Sequence, residues 1–91
     1  MKPKKILLNT IERIDGAYAP STIRAYKSNF LKFIDYCESL SKCALPASSK
    51  VVAQYVKKLA DGQLKSSTIR IGVAAIATIH KLNELPDPTQ H

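Results

Sequence analysis

Apolar residues recur along the chain at intervals of three and four, and that period predicts helices joined by short turns, with no strands. The first helix is expected from about Lys4 to Ile14, with Ile6, Leu7, Ile11 and Ile14 on one side and Gly16 ending it. The second, from Pro20 or Ser21 to Ser41, aligns Ile23, Tyr26, Phe30, Phe33, Ile34, Cys37 and Leu40. Leu45-Pro46-Ala47-Ser48 then turns the chain, and Ser48 or Ser49 caps the next helix. That third helix, from about Lys50 to Ala60, turns Val51, Val52, Tyr55, Val56 and Leu59 inward, and Asp61-Gly62 closes it. The fourth, from about Ser67 to Asn83, carries Ile69, Gly72, Val73, Ile76, Ile79 and His80 on one face. Leu85-Pro86-Asp87-Pro88 must end it, because two prolines cannot continue a helix. The fold class is therefore all-α, a small bundle of four or five helices over residues 1–85. Residues 86–91 read as the start of a linker, and the chain as a fragment of something longer.

The faces opposite the core are where function would show. On the second helix, 100° per residue places Arg24, Ala25, Ser28, Leu31, Lys32 and Asp35 opposite Phe30 and Phe33. On the fourth, Ile71, Ala74, Ala75, Thr78 and Lys81 lie opposite Ile69, Val73 and Ile76, with Arg70 at the margin. An outward isoleucine at position 71 has several readings: a second packing surface, a scattered exposed residue, a partner contact, or a contact with a thymine methyl. Small residues such as Ala25, Ser28, Ala74 and Ala75 would let a helix backbone sit deep in a groove.

Two helix starts match: Ser21-Thr22-Ile23-Arg24 and Ser67-Thr68-Ile69-Arg70. Hydroxyls and free N–H groups at a helix head suit a phosphate, and an arginine one turn in can reach a phosphate or a guanine edge. Capping alone would also explain Ser21, Ser48 and Ser67. Arg24 and Lys32 could equally form a solvated face, which is the better reading of Lys57 and Lys58.

Charge tilts these alternatives. With 14 Lys+Arg against 7 Asp+Glu the 91-residue chain carries a formal +7, which raises the expectation of a nucleic-acid partner. No apolar run approaches the ~18–20 residues of a membrane span, and Asn9, Thr10, Glu12 and Arg13 break the opening stretch too soon for a signal peptide. A cytoplasmic, DNA-associated location without a membrane partner is the simplest expectation. Cys37 sits on an apolar face and Cys43 just past that helix, too few for a disulfide framework. His80 on the apolar side reads as a core histidine with one bonded ring nitrogen. There is no glycine-rich phosphate loop, no metal-ligand spacing and no nucleophile with an obvious base, so neither catalytic activity nor a cofactor nor a metal is expected.

Taken in order, Ser21-Thr22-Ile23-Arg24-Ala25-Tyr26, Phe30, Phe33, Tyr36-Cys37, Leu45-Pro46-Ala47, Val52-Ala53-Gln54-Tyr55-Val56, Leu59-Ala60-Asp61-Gly62, Ser67-Thr68-Ile69-Arg70, Ala75-Ile76, His80 and Leu85-Pro86-Asp87-Pro88-Thr89 resemble the N-terminal core-binding domain of tyrosine recombinases, most closely the Cre-like phage integrases. The resemblance implies a SAM-like bundle forming half of a C-shaped clamp on a recombination site. The catalytic half, with its tyrosine, arginines and histidine, has no counterpart in this chain. It implies double-stranded DNA as partner, with contacts from Thr22, Arg24, Ala25 and Ser28 on the second helix and Ser67, Thr68, Ile71 and Ala75 on the fourth. The expected interface, with the residue-level candidates added, is thus Ser21, Thr22, Arg24, Ala25, Ser28, Lys32, Ser67, Thr68, Arg70, Ile71 and Ala75. Ile71, Ala25 and Ala75 lack base-bonding groups, so phosphate contacts and shape would weigh more, with Arg70 and Lys65 supplying charge. The resemblance further implies a synaptic tetramer of the full-length protein, with Ile6, Leu7 and Leu8 at a subunit contact and the isolated domain monomeric. A helical protein-interaction domain without DNA binding is the alternative, since fold alone does not imply DNA.

Overall fold

The computed structural model describes residues 2–90, which form four helices: α1 (Pro3–Ile14), α2 (Pro20–Ser39), α3 (Ser49–Asp61) and α4 (Ser66–Leu82). Each expected helix is present to within about two residues of its predicted bounds. Pro3 and Pro20 open α1 and α2 because the ring presets a helical φ where no N–H partner is needed. Ser48 caps α3, its Oγ accepting from the Val51 N–H at 3.2 Å. Ser21 and Ser67 do not cap. The N-cap positions of α2 and α4 fall on Ala19 and Lys65, neither with a side-chain cap bond, so both serines lie within the first helical turn.

The C-terminal ends of α2, α3 and α4 follow one rule. Ser41 (φ 56), Gln63 (φ 61) and Glu84 (φ 58) each take a left-handed backbone just after α2, α3 and α4. The next amide returns to the helix: Lys42 N–H to Cys37 O (2.8 Å), Leu64 N–H to Leu59 O (3.4 Å), Leu85 N–H to His80 O (2.9 Å). These bonds satisfy carbonyls that the helix leaves free. Gly62 keeps φ −78, so Gln63 rather than that glycine makes the turn.

α2 is the central element, packed on α1, α3 and, most extensively, α4. Its Phe30, Phe33, Ile34 and Cys37 meet Leu7 of α1, Val51, Val52 and Tyr55 of α3, and Ile76 and Ile79 of α4. Ala44 and Leu45 of the α2–α3 connection complete the core. Edge-to-face rings tie it together: Phe30–Phe33 at 5.8 Å, Phe33–Tyr55 at 5.1 Å and Phe30–His80 at 6.2 Å.

Three placements correct the helical wheel. Leu40, expected inside, is 42% exposed at the C-cap of α2. Leu31, expected outside, is half-buried against the core. Ala75, expected on the open face of α4, is wholly buried, because the inward stripe of that helix runs through Gly72, Ala75, Ile76, Ile79 and His80. Residues 86–90 fold back on the body: Pro88 is buried, Asp87 accepts from the Thr89 N–H (2.9 Å) and hydroxyl (2.6 Å), and Ser49 Oγ donates to Gln90 O (3.4 Å).

Candidate nucleic-acid interface

Because α2 and α4 lie side by side, their heads come together. Ser21, Thr22, Ala25 and Tyr26 of α2 and Arg70, Ile71 and Ala74 of α4 line one open groove of about 460 Å³. Five expected site residues thus converge from two segments far apart in sequence. The helix N-termini put partial positive charge beside it. Its floor is carbon: Ala25 and Ala74 are half-buried, and Ile71 is 44% exposed.

Next to it on α2, a second groove of about 480 Å³ gathers Arg24, Lys27, Ser28, Leu31, Lys32 and Asp35. Arg24, Lys27, Ser28 and Lys32 are exposed. The one ion pair among the described residues, Lys81–Asp87 at 3.7 Å, involves none of these cations. Ser67 and Thr68 are exposed in the first turns of α4 but line neither groove. Ala75, buried under α2, is not part of the surface.

Five lining residues of the two grooves were not among the expected contacts: Tyr26, Lys27, Leu31, Asp35 and Ala74. Tyr26 was assigned to the core by its period, yet it is half-buried and meets Tyr18 edge-on at 6.3 Å, leaving it on the groove wall. Ala74, Leu31 and Asp35 were placed on the outward faces by the wheel, Ala74 also as a small residue suited to a groove, without being nominated as contacts. Lys27 adjoins the outward stripe and was missed because its neighbours Tyr26 and Phe30 are apolar.

The chemistry of the remaining groups is structural. His80 is wholly buried; its Nε2 accepts from the Ala47 N–H (2.9 Å), so Nδ1 carries the proton and donates to Ile76 O (2.8 Å). Both ring nitrogens are therefore bonded, one more than expected. Burial lowers its pKa, against the Ile76 bond and the nearby Asp87, and holds the neutral form. Burial, helped by Cys43, pushes the Cys37 thiol up to about 11, which keeps it protonated and inert. Among the described residues no cluster of three His, Cys, Asp or Glu side chains could hold a metal ion. No helix among them is long and apolar enough to cross a membrane.

Residues 11–83 match the family described as phage integrase, N-terminal SAM-like domain. The chain belongs to this family. The all-α fold expected from the helical period is the one this family's description implies. A curated relative, the "Integrase/recombinase xerD homolog" of Selenomonas ruminantium, is 30% identical over 77 residues, which cover 85% of this chain and 22% of the relative. The chain therefore spans less than a quarter of that relative's length. No solved structure matches it. The matched family is the N-terminal part of integrases rather than their catalytic domain.

Proposed function

We propose that this chain is the DNA-binding N-terminal domain of a site-specific tyrosine recombinase. It would grip duplex DNA through the groove between the heads of α2 and α4 and through the outer face of α2. The observation that carries this reading is the convergence of Ser21, Thr22 and Ala25 of α2 with Arg70 and Ile71 of α4 on one open groove, beside the cations Arg24, Lys27 and Lys32. Exposed cations and helix heads supply phosphate contacts, and Arg24 and Arg70 can also reach base edges. Phosphoryl transfer itself belongs to a separate catalytic domain, as does half of the clamp. The isolated domain should accordingly bind weakly. Assembly of the intact recombinase on paired sites is part of the same reading, with the exposed Leu8 of α1 at a subunit contact; Leu7, expected beside it, is wholly buried in the core, and Ile6 packs partly against that core. The proposal stands at the level of the tyrosine recombinases, not the Cre-like branch, since the relative in hand is named an xerD homolog.

The test is an NMR titration of the labelled chain with a short duplex at low and then moderate salt. Shifts should concentrate at the heads of α2 and α4 and along Arg24–Lys32. If about 4–6 phosphates are neutralised, log K should fall with log salt at a slope of about −4 to −5. Shifts elsewhere, or affinity unchanged in both Arg24→Ala and Arg70→Ala, would remove this surface. The exposure of Ile71 in a carbon-lined groove favours a second reading, a protein-interaction surface, whose mark is binding that survives high salt.

A further inference from the structure

We infer that the groove between α2 and α4 reads thymine: Ile71, on a floor of Ala25 and Ala74, packs against thymine 5-methyl groups in the major groove. The inference rests on the DNA-binding reading above and assigns its sequence preference. Ile71 is 44% exposed although an isoleucine gains by leaving water, and it lies in the groove rather than alone on a convex face. The residues around it offer methyl and ring carbon from Ala25, Ala74 and Tyr26. Polar groups sit beside this carbon surface: Ser21 and Thr22 on α2 and Arg70 on α4. The second groove adds Arg24, Lys27 and Lys32. An occupant must therefore be anionic as a whole yet present an apolar group. Duplex DNA satisfies both conditions at one place, since the thymine methyl is the apolar group that its major groove displays. Alanines at 25 and 74 keep the floor low enough for Ile71 to reach a base edge, and none of these three can hydrogen-bond the wrong base. Ala75, whose methyl is buried under α2, has no part in it.

The experiment compares a 20-bp duplex of alternating A·T pairs with the same duplex carrying dU for every dT. Phosphates and hydrogen-bonding groups are then identical, and only the methyls differ. The chain, at low salt, should bind the dT duplex about three- to fivefold more tightly for each methyl in contact. Ile71→Ala, at an exposed position that leaves the core intact, should bring that ratio to about one. Equal affinity of the unaltered chain for both duplexes would overturn the inference and leave the DNA-binding reading standing. Failure to bind either duplex would overturn both. Ile71 resonances that shift on raising protein concentration alone, with no effect of duplex, would assign the groove to a second copy of this chain and likewise overturn the inference.

Discussion

At the C-terminal end of α4, His80 and Asn83 turn their polar groups toward the protein; about 25 Å away, at its N-terminal end, Ser67, Thr68 and Arg70 are exposed to solvent. Asn83 Nδ2 donates to Ile79 O (2.8 Å) and to Thr10 Oγ1 (2.9 Å), while its Oδ1 accepts from Arg13 (2.9 Å). Arg13 also reaches the Leu82 carbonyl (3.2 Å) and Thr10 Oγ1 (3.2 Å), and the buried Thr10 donates to Ile6 O (2.8 Å). His80 is bonded at both ring nitrogens. At the other end no side chain caps the helix, and Ser67, Thr68, Arg70 and Ile71 stand exposed. The contrast separates arginines that look alike in sequence. Arg13 locks α1 to the end of α4, at the carbonyl pole where a cation is favoured. Arg24 and Arg70 border open grooves. Charge alone marks neither role; what the guanidinium already bonds does.

The largest effect should come from the locked end. His80→Ala removes a wholly buried ring and leaves the Ala47 N–H without its partner. It should cost about 3 kcal/mol of stability, read by chemical denaturation. Loss below 1 kcal/mol would mean that the locked end is not what holds the domain together. At the open end the expectation reverses. Arg24→Ala and Arg70→Ala should each weaken duplex binding about tenfold and leave the melting temperature unchanged. A melting shift of several degrees in either would erase the contrast.

Arg13→Ala sharpens the comparison from the other side. It should lower stability by about 1 kcal/mol without altering DNA affinity, because its hydrogen bonds stay inside the fold. Acid should act on the locked end as well. The folded pKa of His80 lies below its ordinary 6.5, so below that pH the unfolded chain binds the extra proton and the folded one resists it. Stability should be full above about pH 6.5 and fall as pH drops below it. Asp87 adds a second loss near and below its usual 3.8, since the Thr89 hydrogen bonds lower its folded pKa. Denaturation midpoints that stay flat between pH 7 and 5 would contradict the buried neutral ring. The smallest effect is Gly72→Ala, whose added Cβ would meet Asn29 Oδ1 at 3.7 Å and Leu59 Cδ1 at 3.8 Å, ordinary contact distances. Replacing a mid-helix glycine there should add about 0.5–1 kcal/mol, detectable as a higher melting temperature.

The chain's own pattern determined the four helices and nearly all their bounds, a serine cap for α3, the internal place of His80, and Ser21, Thr22, Ala25, Arg70 and Ile71 as the residues that meet in the groove. These depend on local geometry: a 3.6-residue period, a proline at N1, a hydroxyl one residue before a helix. Only the tertiary structure decided the phase of α4. With Ile69, Ile71, Val73, Ile76 and Ile79 spread around the helix, and alanines adding little weight, the wheel could not tell Ala74 from Ala75. The close approach of α2 did, burying one and leaving the other on the groove wall. It also decided that Ser21 and Ser67 fall inside their helices rather than at the caps, that Leu31 is covered and Leu40 is not, and that Arg13 is engaged while Arg70 stands exposed. A helical period gives angles about a helix's own axis, whereas which angle meets a neighbour, and which charge finds a partner, depends on contacts between residues up to 73 positions apart.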